Sequence, residues 1–199
     1  MATFTLPDGL APEAYPLAWL VGSWRGYGVL AYPGITEQPF VQTLVVDHDG
    51  GPYLRFTSTL WTVDAERSSS VPQDATGAQG ADLLTPGAVW STETAYWRAA
   101  PGAPPPTGNG EQGPPTTEIE ALVAQPTGHV SVYLGTVRGP RVNLTSDAVI
   151  RTASAAEVTA GSRMYGLVHS DLLWVEELAA FGQELQNYAS GRLSRTEQA

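Results

Sequence analysis

The chain has 199 residues, of which 42% are hydrophobic, enough to bury the core of one domain. Its 20 acidic and 10 basic residues give a formal charge of −10, and this negative field disfavours nucleic acids and anionic membranes as partners. The sequence contains no cysteine, and all ten basic residues are arginines. Cysteine nucleophiles, iron–sulfur clusters, cysteine-containing zinc sites, Schiff-base lysines and P-loop lysines are therefore excluded.

The N-terminal region shows no feature of a targeting segment. It lacks a basic start, and its apolar run at 16–21 is too short for a signal peptide or a membrane span. We interpret residues 1–16 as an N-terminal extension and residues 17–199 as a single domain. We expect a soluble, cytoplasmic protein.

Short stretches rich in Val, Thr, Tyr, Leu and Trp recur along the chain and are bounded by Gly, Pro and Asp, a rhythm that predicts an all-β fold. The tight turns between most of these stretches indicate an antiparallel meander of about ten strands. Closing the meander into a barrel removes its two edges and leaves room for a ligand inside. The predicted strands are 23–32, 40–47, 53–63, 89–98, 117–125, 129–137, 141–150, 156–160, 163–168 and 172–180.

Two segments interrupt this rhythm. Residues 64–86 are rich in Ser, Gln, Ala and Gly, and residues 99–115 are rich in Pro and Gly. Neither segment buries enough apolar surface to offset the entropy of ordering it. We therefore predict two long, weakly ordered hairpin loops at one end of the sheet.

One short C-terminal helix is predicted at 183–188. Phe181, Leu185 and Tyr188 are spaced at i, i+4 and i+7, which places them on one helical face. If that face covers the barrel mouth, Tyr188 points inward. The alternative is a core Tyr188 whose hydroxyl bonds a backbone carbonyl.

Few side chains are candidates for acid–base or metal chemistry. Glu176 and Glu177 are neighbours on a predicted strand and point to opposite faces, so they cannot form a catalytic pair of carboxylates, and only one of them faces the interior. His48, His129 and His169 lie in turns or at strand ends, where we expect them to be solvated.

The segment that opens the first predicted strand reads Gly22-Ser23-Trp24-Arg25-Gly26-Tyr27-Gly28. It resembles the GxWxGxG signature of the nitrobindin family, and further landmarks of that family follow in order at 32–33, 39–40, 92–98, 126–128 and 182–186. The resemblance implies a ten-stranded antiparallel barrel similar to fatty-acid-binding proteins. In such a barrel Trp24 can plug the base, while Gly22, Gly26 and Gly28 let a coiled strand bend.

The resemblance also implies haem b in the barrel mouth, held by one His in a motif like GQPLQxH. Here residues 182–188 read Gly-Gln-Glu-Leu-Gln-Asn-Tyr, so Tyr188 stands in place of the axial His. The family further uses a Thr near the haem, in a region that Gly34 or Thr36 occupies in this chain. The missing His argues against haem b binding and against the nitric oxide and peroxynitrite isomerase chemistry of the family.

Three functions stay open. A phenolate can hold ferric haem, as in catalase, so Tyr188 is a possible iron ligand with Arg192 nearby to stabilise its charge. The barrel can instead carry another small apolar molecule, with Arg55, Arg98 or Arg151 holding a carboxylate inside it. The third possibility is a non-catalytic barrel that binds a protein partner through its long loops.

Overall fold

The structure is a computed structural model that describes residues 5–102 and 114–196. Its strands are β1 (Gly22–Tyr32), β2 (Ile35–Asp47), β3 (Leu54–Val63), β4 (Pro86–Ala99), β5 (Thr116–Gln125), β6 (His129–Arg138), β7 (Arg141–Arg151), β8 (Val158–Val168), β9 (Asp171–Ala180) and β10 (Gln186–Thr196). Consecutive strands pair antiparallel, and β10 also pairs with β1, which closes the barrel. The predicted all-β barrel of ten antiparallel strands is therefore confirmed.

The C-terminal part of the chain differs from the prediction. The helix predicted at 183–188 is wrong, because Phe181 and Gly182 take positive φ angles of 53° and 75° in a turn, after which the chain continues as β10. The predicted strands 156–160 and 163–168 form one strand, β8, so the total remains ten. Since β10 pairs with both β1 and β9, it removes two open sheet edges, and this pairing outweighs the local helical pattern.

A 3₁₀ helix, Pro12–Leu20, covers the end of the barrel at which β1 begins. Trp24 is only 1% exposed there, and its Nε1 donates to the carbonyl of Leu20 at 2.8 Å. The guanidinium of Arg195 lies over the Trp24 ring, 4.2 Å from its centroid. This closed end includes Ala14, which is fully buried in the core, and the division of the chain after residue 16 stays a prediction.

The segment 64–86 joins β3 to β4 at the opposite end, the mouth. It contains helix α1 (Gly77–Leu83), so its prediction as a weakly ordered loop is wrong. Thr76 and Gln79 form a capping box at the start of α1, and the helix packs on the outside of the barrel against Tyr27. Among the described residues, no helix is long and apolar enough to cross a membrane.

The segment 99–115 joins β4 to β5 at the closed end. The two long connections thus lie at opposite ends of the barrel, which corrects the prediction that they share one end. The reason is topological: successive hairpin connections of a meander alternate between its two ends. Within this segment, 103–113 lie outside the described residues, and its predicted weak order stays a prediction there.

The interior is filled towards the closed end and open towards the mouth. Trp97 stacks on Phe56 with ring centroids 4.1 Å apart, and it meets Tyr165 edge-on at 5.2 Å. These rings form a floor across the barrel. Above the floor lies a cavity.

Candidate functional site

The cavity at the mouth has a volume of about 550 Å³, within the range of small-molecule sites. One part of its wall is aromatic and consists of Trp90, Tyr133, Tyr165, Trp174, Phe181 and Tyr188. Another part is polar and includes Gln42, Ser58, Glu93, Arg163 and Glu176. The site therefore combines an apolar lining with charged groups inside the barrel.

Arg163 of β8 holds two carboxylates in this wall. Its Nη1 and Nη2 each donate to Glu93 at 2.8 Å, and its Nε and Nη2 donate to Oε1 of Glu176 at 3.1 and 2.9 Å. The Arg163 side chain is only 4% exposed. We call Glu93, Arg163 and Glu176 the charged centre; it holds two carboxylates for one guanidinium.

The two carboxylates of the charged centre differ in their pKa. Burial raises the pKa of Glu176 by more than the charge of Arg163 lowers it, and the nearby Glu93 adds to the rise. Burial also acts to raise the pKa of Glu93, but Arg163 and a hydrogen bond from Gln125 at 3.3 Å outweigh it, so this pKa lies below its ordinary value. Perturbed carboxylates in a cavity mark a candidate functional site.

Three further polar side chains of the wall bond one another. Trp174 Nε1 donates to Oε1 of Gln42 at 2.8 Å, and Nε2 of Gln42 donates to Oγ of Ser58 at 2.9 Å. Gln42 is 5% exposed, so both ends of its amide are satisfied inside the protein. This chain of hydrogen bonds fixes the Gln42 amide in the cavity wall.

Tyr188 reaches the cavity through a β-bulge. The pairing of β10 with β9 shifts between Asn187 and Ala189, leaving Tyr188 as the extra residue. Ala189 is 5% exposed and faces the core, so regular alternation would turn Tyr188 outward. The bulge instead places Tyr188 in the cavity wall. Tyr188 therefore points inward as expected, although it lies on a strand and not on the predicted helix.

The Tyr188 hydroxyl already has a partner. Trp90 Nε1 donates to Tyr188 Oη at 2.7 Å, and the ring of Tyr32 packs edge-on at 6.1 Å. Burial raises the pKa of Tyr188, although the Trp90 bond partly opposes the rise. Arg192 points away from the cavity and pairs with Asp171 at 2.5 Å, so it does not stabilise a Tyr188 phenolate.

Gly34 and Thr36 lie at the rim of the barrel. Gly34 occupies the β1–β2 turn with a φ of 86°, and both residues are exposed. A register shift in the β1–β2 pairing next to Tyr32 brings Ile35 into the cavity wall, and Thr36 is exposed outside it. A role for Gly34 or Thr36 next to a ligand stays a prediction.

The three histidines differ in burial. His129 is 7% exposed, contrary to the expectation that it is solvated, because its ring lies between Thr127 Oγ1 at 3.1 Å and the Ala156 carbonyl at 2.9 Å. His48 is half-buried with a buried Nδ1, whereas His169 is exposed as expected. Among the described residues, no three His or acidic side chains are grouped so as to bind a metal ion.

The arginines proposed to hold a carboxylate inside the barrel do not lie there. Arg55 pairs with Asp47 at 2.7 Å and Arg98 with Glu120 at 2.8 Å, both on the exposed surface. Arg151 donates to a backbone carbonyl at the mouth. The interior arginine is Arg163, which sequence reasoning missed.

Glu176 is the interior member of the Glu176–Glu177 pair. Glu177 accepts a hydrogen bond from Ser162 Oγ at 2.6 Å and does not line the cavity. The alternation of Gly161, Arg163 and Tyr165 along one strand was the available signal for an inward-facing arginine.

Comparisons with known proteins agree with this architecture. Residues 13–195 match a family model described as a THAP4-like, heme-binding beta-barrel domain. A ferric nitrobindin-like protein from Beutenbergia cavernae is 49% identical, covering 97% of this chain and 99% of the relative, and a peroxynitrite isomerase from Leifsonia xyli is 37% identical over 96% and 98%. The crystal structure of Rv2717c from M. tuberculosis superposes with a TM-score of 0.71 at 26% identity, covering 94% and 99%. The chain therefore belongs to the nitrobindin family of THAP4-like, heme-binding β-barrels.

Proposed function

We propose that this chain is a small-molecule-binding barrel whose mouth cavity takes a ligand other than haem. The family and the cavity support a small ligand. The main support for the proposal comes from Tyr188. Its hydroxyl lies where the family resemblance implies an axial His, and it already accepts a hydrogen bond from Trp90. The family's way of holding haem iron therefore does not fit these residues.

The electrostatics of the cavity also oppose a phenolate. Tyr188 has a raised pKa, and the charged centre adds carboxylates rather than a free cation to its surroundings. A phenol that ligates ferric iron must lose its proton, which a buried site with surplus negative charge disfavours. His129 is no substitute ligand, because both of its ring nitrogens lie within hydrogen-bond distance of protein oxygens.

Several relatives are named peroxynitrite isomerase. The family resemblance implies that this activity requires haem held by a His in the segment that corresponds to 182–188, and this chain has Tyr188 at that position. We therefore propose that this chain is not a peroxynitrite isomerase. If no small molecule enters the cavity, the alternative function is a barrel that binds a protein partner through its loops.

A hemin titration tests the proposal. Purified wild-type protein, Tyr188→Phe and Tyr188→His are each titrated with hemin while the Soret and visible bands are recorded. We expect wild type and Tyr188→Phe to give the same weak, non-saturating spectra, because the Tyr188 oxygen does not ligate iron. Tyr188→His supplies an imidazole at the family's position and is expected to shift the Soret band if the cavity admits the porphyrin.

Two results would contradict the proposal. A saturating one-to-one Soret change in wild type, with a phenolate-to-iron charge-transfer band that Tyr188→Phe removes, would establish Tyr188-ligated haem instead. A saturating change that survives in Tyr188→Phe would mean that another residue holds the iron. Circular dichroism of each variant shows whether the barrel is intact.

A further inference from the structure

The charged centre leaves one strong acceptor without a donor. Oε1 of Glu176 receives both hydrogen bonds from Arg163, whereas none of the described residues donates to its Oε2. Glu176 lines the cavity, and its side chain is 13% exposed. A carboxylate oxygen in such a position forms a strong bond to a donor on a ligand.

Within the charged centre, one guanidinium faces two carboxylates. The groups that line the cavity with it are Glu93, His129, Tyr133, Arg163, Tyr165 and Tyr188. Burial raises the pKa of each of the three tyrosines, so they remain neutral phenols. When both carboxylates are ionised, Arg163 offsets only one of them, and the charged centre carries one net negative charge.

The same geometry disfavours an anionic ligand. Glu93 and Glu176 take four hydrogen bonds from the five N–H donors of Arg163, so a fatty-acid carboxylate would have to share this guanidinium with two carboxylates. Such a ligand would also bring a third negative charge into a site with little water to screen it. The buried Arg163 is therefore not placed to bind the carboxylate of a ligand.

We propose that the cavity binds a small apolar molecule that carries a protonated amine, with the ammonium group donating to Oε2 of Glu176. This inference rests on the proposed function, that the cavity takes a small molecule other than haem. The ammonium supplies the positive charge that the charged centre lacks. The aromatic wall provides contacts for the apolar body, and its ring faces attract a nearby cation.

Three ligands with the same ten-carbon chain test this inference. Decylamine, 1-decanol and decanoate are titrated into the wild-type protein by isothermal titration calorimetry at neutral pH and low salt, below their micelle concentrations. We expect decylamine to bind at least about tenfold more tightly than decanol, the usual gain from one charge-assisted hydrogen bond, and decanoate to bind most weakly. This comparison needs no variant to fold.

A matched pair of variants then locates the effect. Glu176→Gln removes the free carboxylate, and Glu177→Gln makes the same chemical change on the next residue, outside the cavity. We expect Glu176→Gln to lose most of the preference for decylamine over decanol. Glu177→Gln should bind all three ligands as wild type does.

The possible results distinguish the amine-binding inference from the proposed small-molecule-binding function on which it rests. Tight binding of decanol and decanoate with no preference for decylamine would overturn the amine assignment and leave a small-molecule barrel. A preference for decylamine that persists in folded Glu176→Gln would overturn the role of Glu176. Failure of all three ligands to bind would contradict both the inference and the proposed function.

Discussion

Trp90 Nε1 donates a hydrogen bond of 2.7 Å to Tyr188 Oη, and this bond links two strands that do not pair with each other. Trp90 lies on β4 and Tyr188 on the bulge of β10, so the bond crosses the barrel mouth. It satisfies an indole donor that burial would otherwise leave without an acceptor. The contact thus gives Tyr188 a structural role, whatever ligand the cavity takes.

A double-mutant cycle measures this contact. We expect Trp90→Phe and Tyr188→Phe each to lower the free energy of unfolding by about 1 kcal/mol or more, because each leaves the partner's polar atom unpaired. The double variant should lose less than the sum of the two, since no unpaired group remains. Urea unfolding followed by circular dichroism provides the values. Strictly additive losses would show that the hydrogen bond contributes nothing to stability.

The charged centre predicts opposite pH effects for its two carboxylates. The pKa of Glu176 is raised in the folded protein, so the folded state binds more protons than the unfolded state just above the ordinary Glu pKa of 4.5, and stability falls as pH rises through that window. The pKa of Glu93 is lowered, so its contribution is present above pH 4.5 and is lost as pH falls below it.

Thermal unfolding across pH therefore distinguishes the two residues. Glu176→Gln should remove the loss of stability above pH 4.5. The stability of the variant relative to wild type should therefore increase as pH rises. Glu93→Gln should instead reduce the loss of stability below pH 4.5. Glu177→Gln, outside the cavity, serves as the control. Parallel pH profiles for wild type and Glu176→Gln would contradict the raised pKa.

The barrel could be predicted from sequence because its turns have recognisable residues and its strands alternate. β10 escaped prediction because its apolar alternation is hidden. Gly191 occupies an inward position where a Cβ would lie 2.5 Å from Trp174 Nε1, so a glycine replaces the apolar residue that the pattern requires. Ser194 bonds Asp171 and the backbone of α1. Polar and small residues on both faces hid the strand pattern, and a short helix was predicted over the first residues of the segment instead.

The site was harder to predict because its residues depend on exact registers. Alternation separates Glu176 from Glu177 but does not say which faces the core. Arg163 was overlooked because the predicted strands broke at 161–162, which hid the continuous inward row of β8. Tyr188 was given the correct side for the wrong reason, because a bulge, rather than a helix, turns it inward.

Asp171 should control the docking of α1 on the barrel. Its buried carboxylate accepts hydrogen bonds from Ser194 Oγ at 2.6 Å, Arg192 Nε at 2.5 Å and the Gly77 backbone at 3.2 Å. Asp171→Ala leaves these donors unpaired, and we expect a loss of about 1–3 kcal/mol. Hydrogen exchange should accelerate in 76–84 above all.

Asp147→Ala is the control for this change, because Asp147 is an exposed acidic residue of β7. It should leave both stability and exchange near those of wild type. Equal exchange of α1 in Asp171→Ala and wild type would show that apolar packing alone holds the helix.

Gly26 should be one of the signature glycines that tolerate no side chain. A Cβ at Gly26 would lie 2.0 Å from the carbonyl oxygen of Arg192 and 2.6 Å from the Cα of Leu193, both backbone atoms of β10. Gly26→Ala must therefore push β1 and β10 apart at the seam that closes the barrel, and we expect it to lower the free energy of unfolding by about 3 kcal/mol or more.

Gly166→Ala is the matched control, since the nearest atom to a Cβ there is the Pro140 carbonyl oxygen at 3.9 Å, and we expect a change within about 0.5 kcal/mol. Urea unfolding of both variants gives the comparison, and equal stabilities would mean that the β1–β10 seam yields to a methyl group without loss.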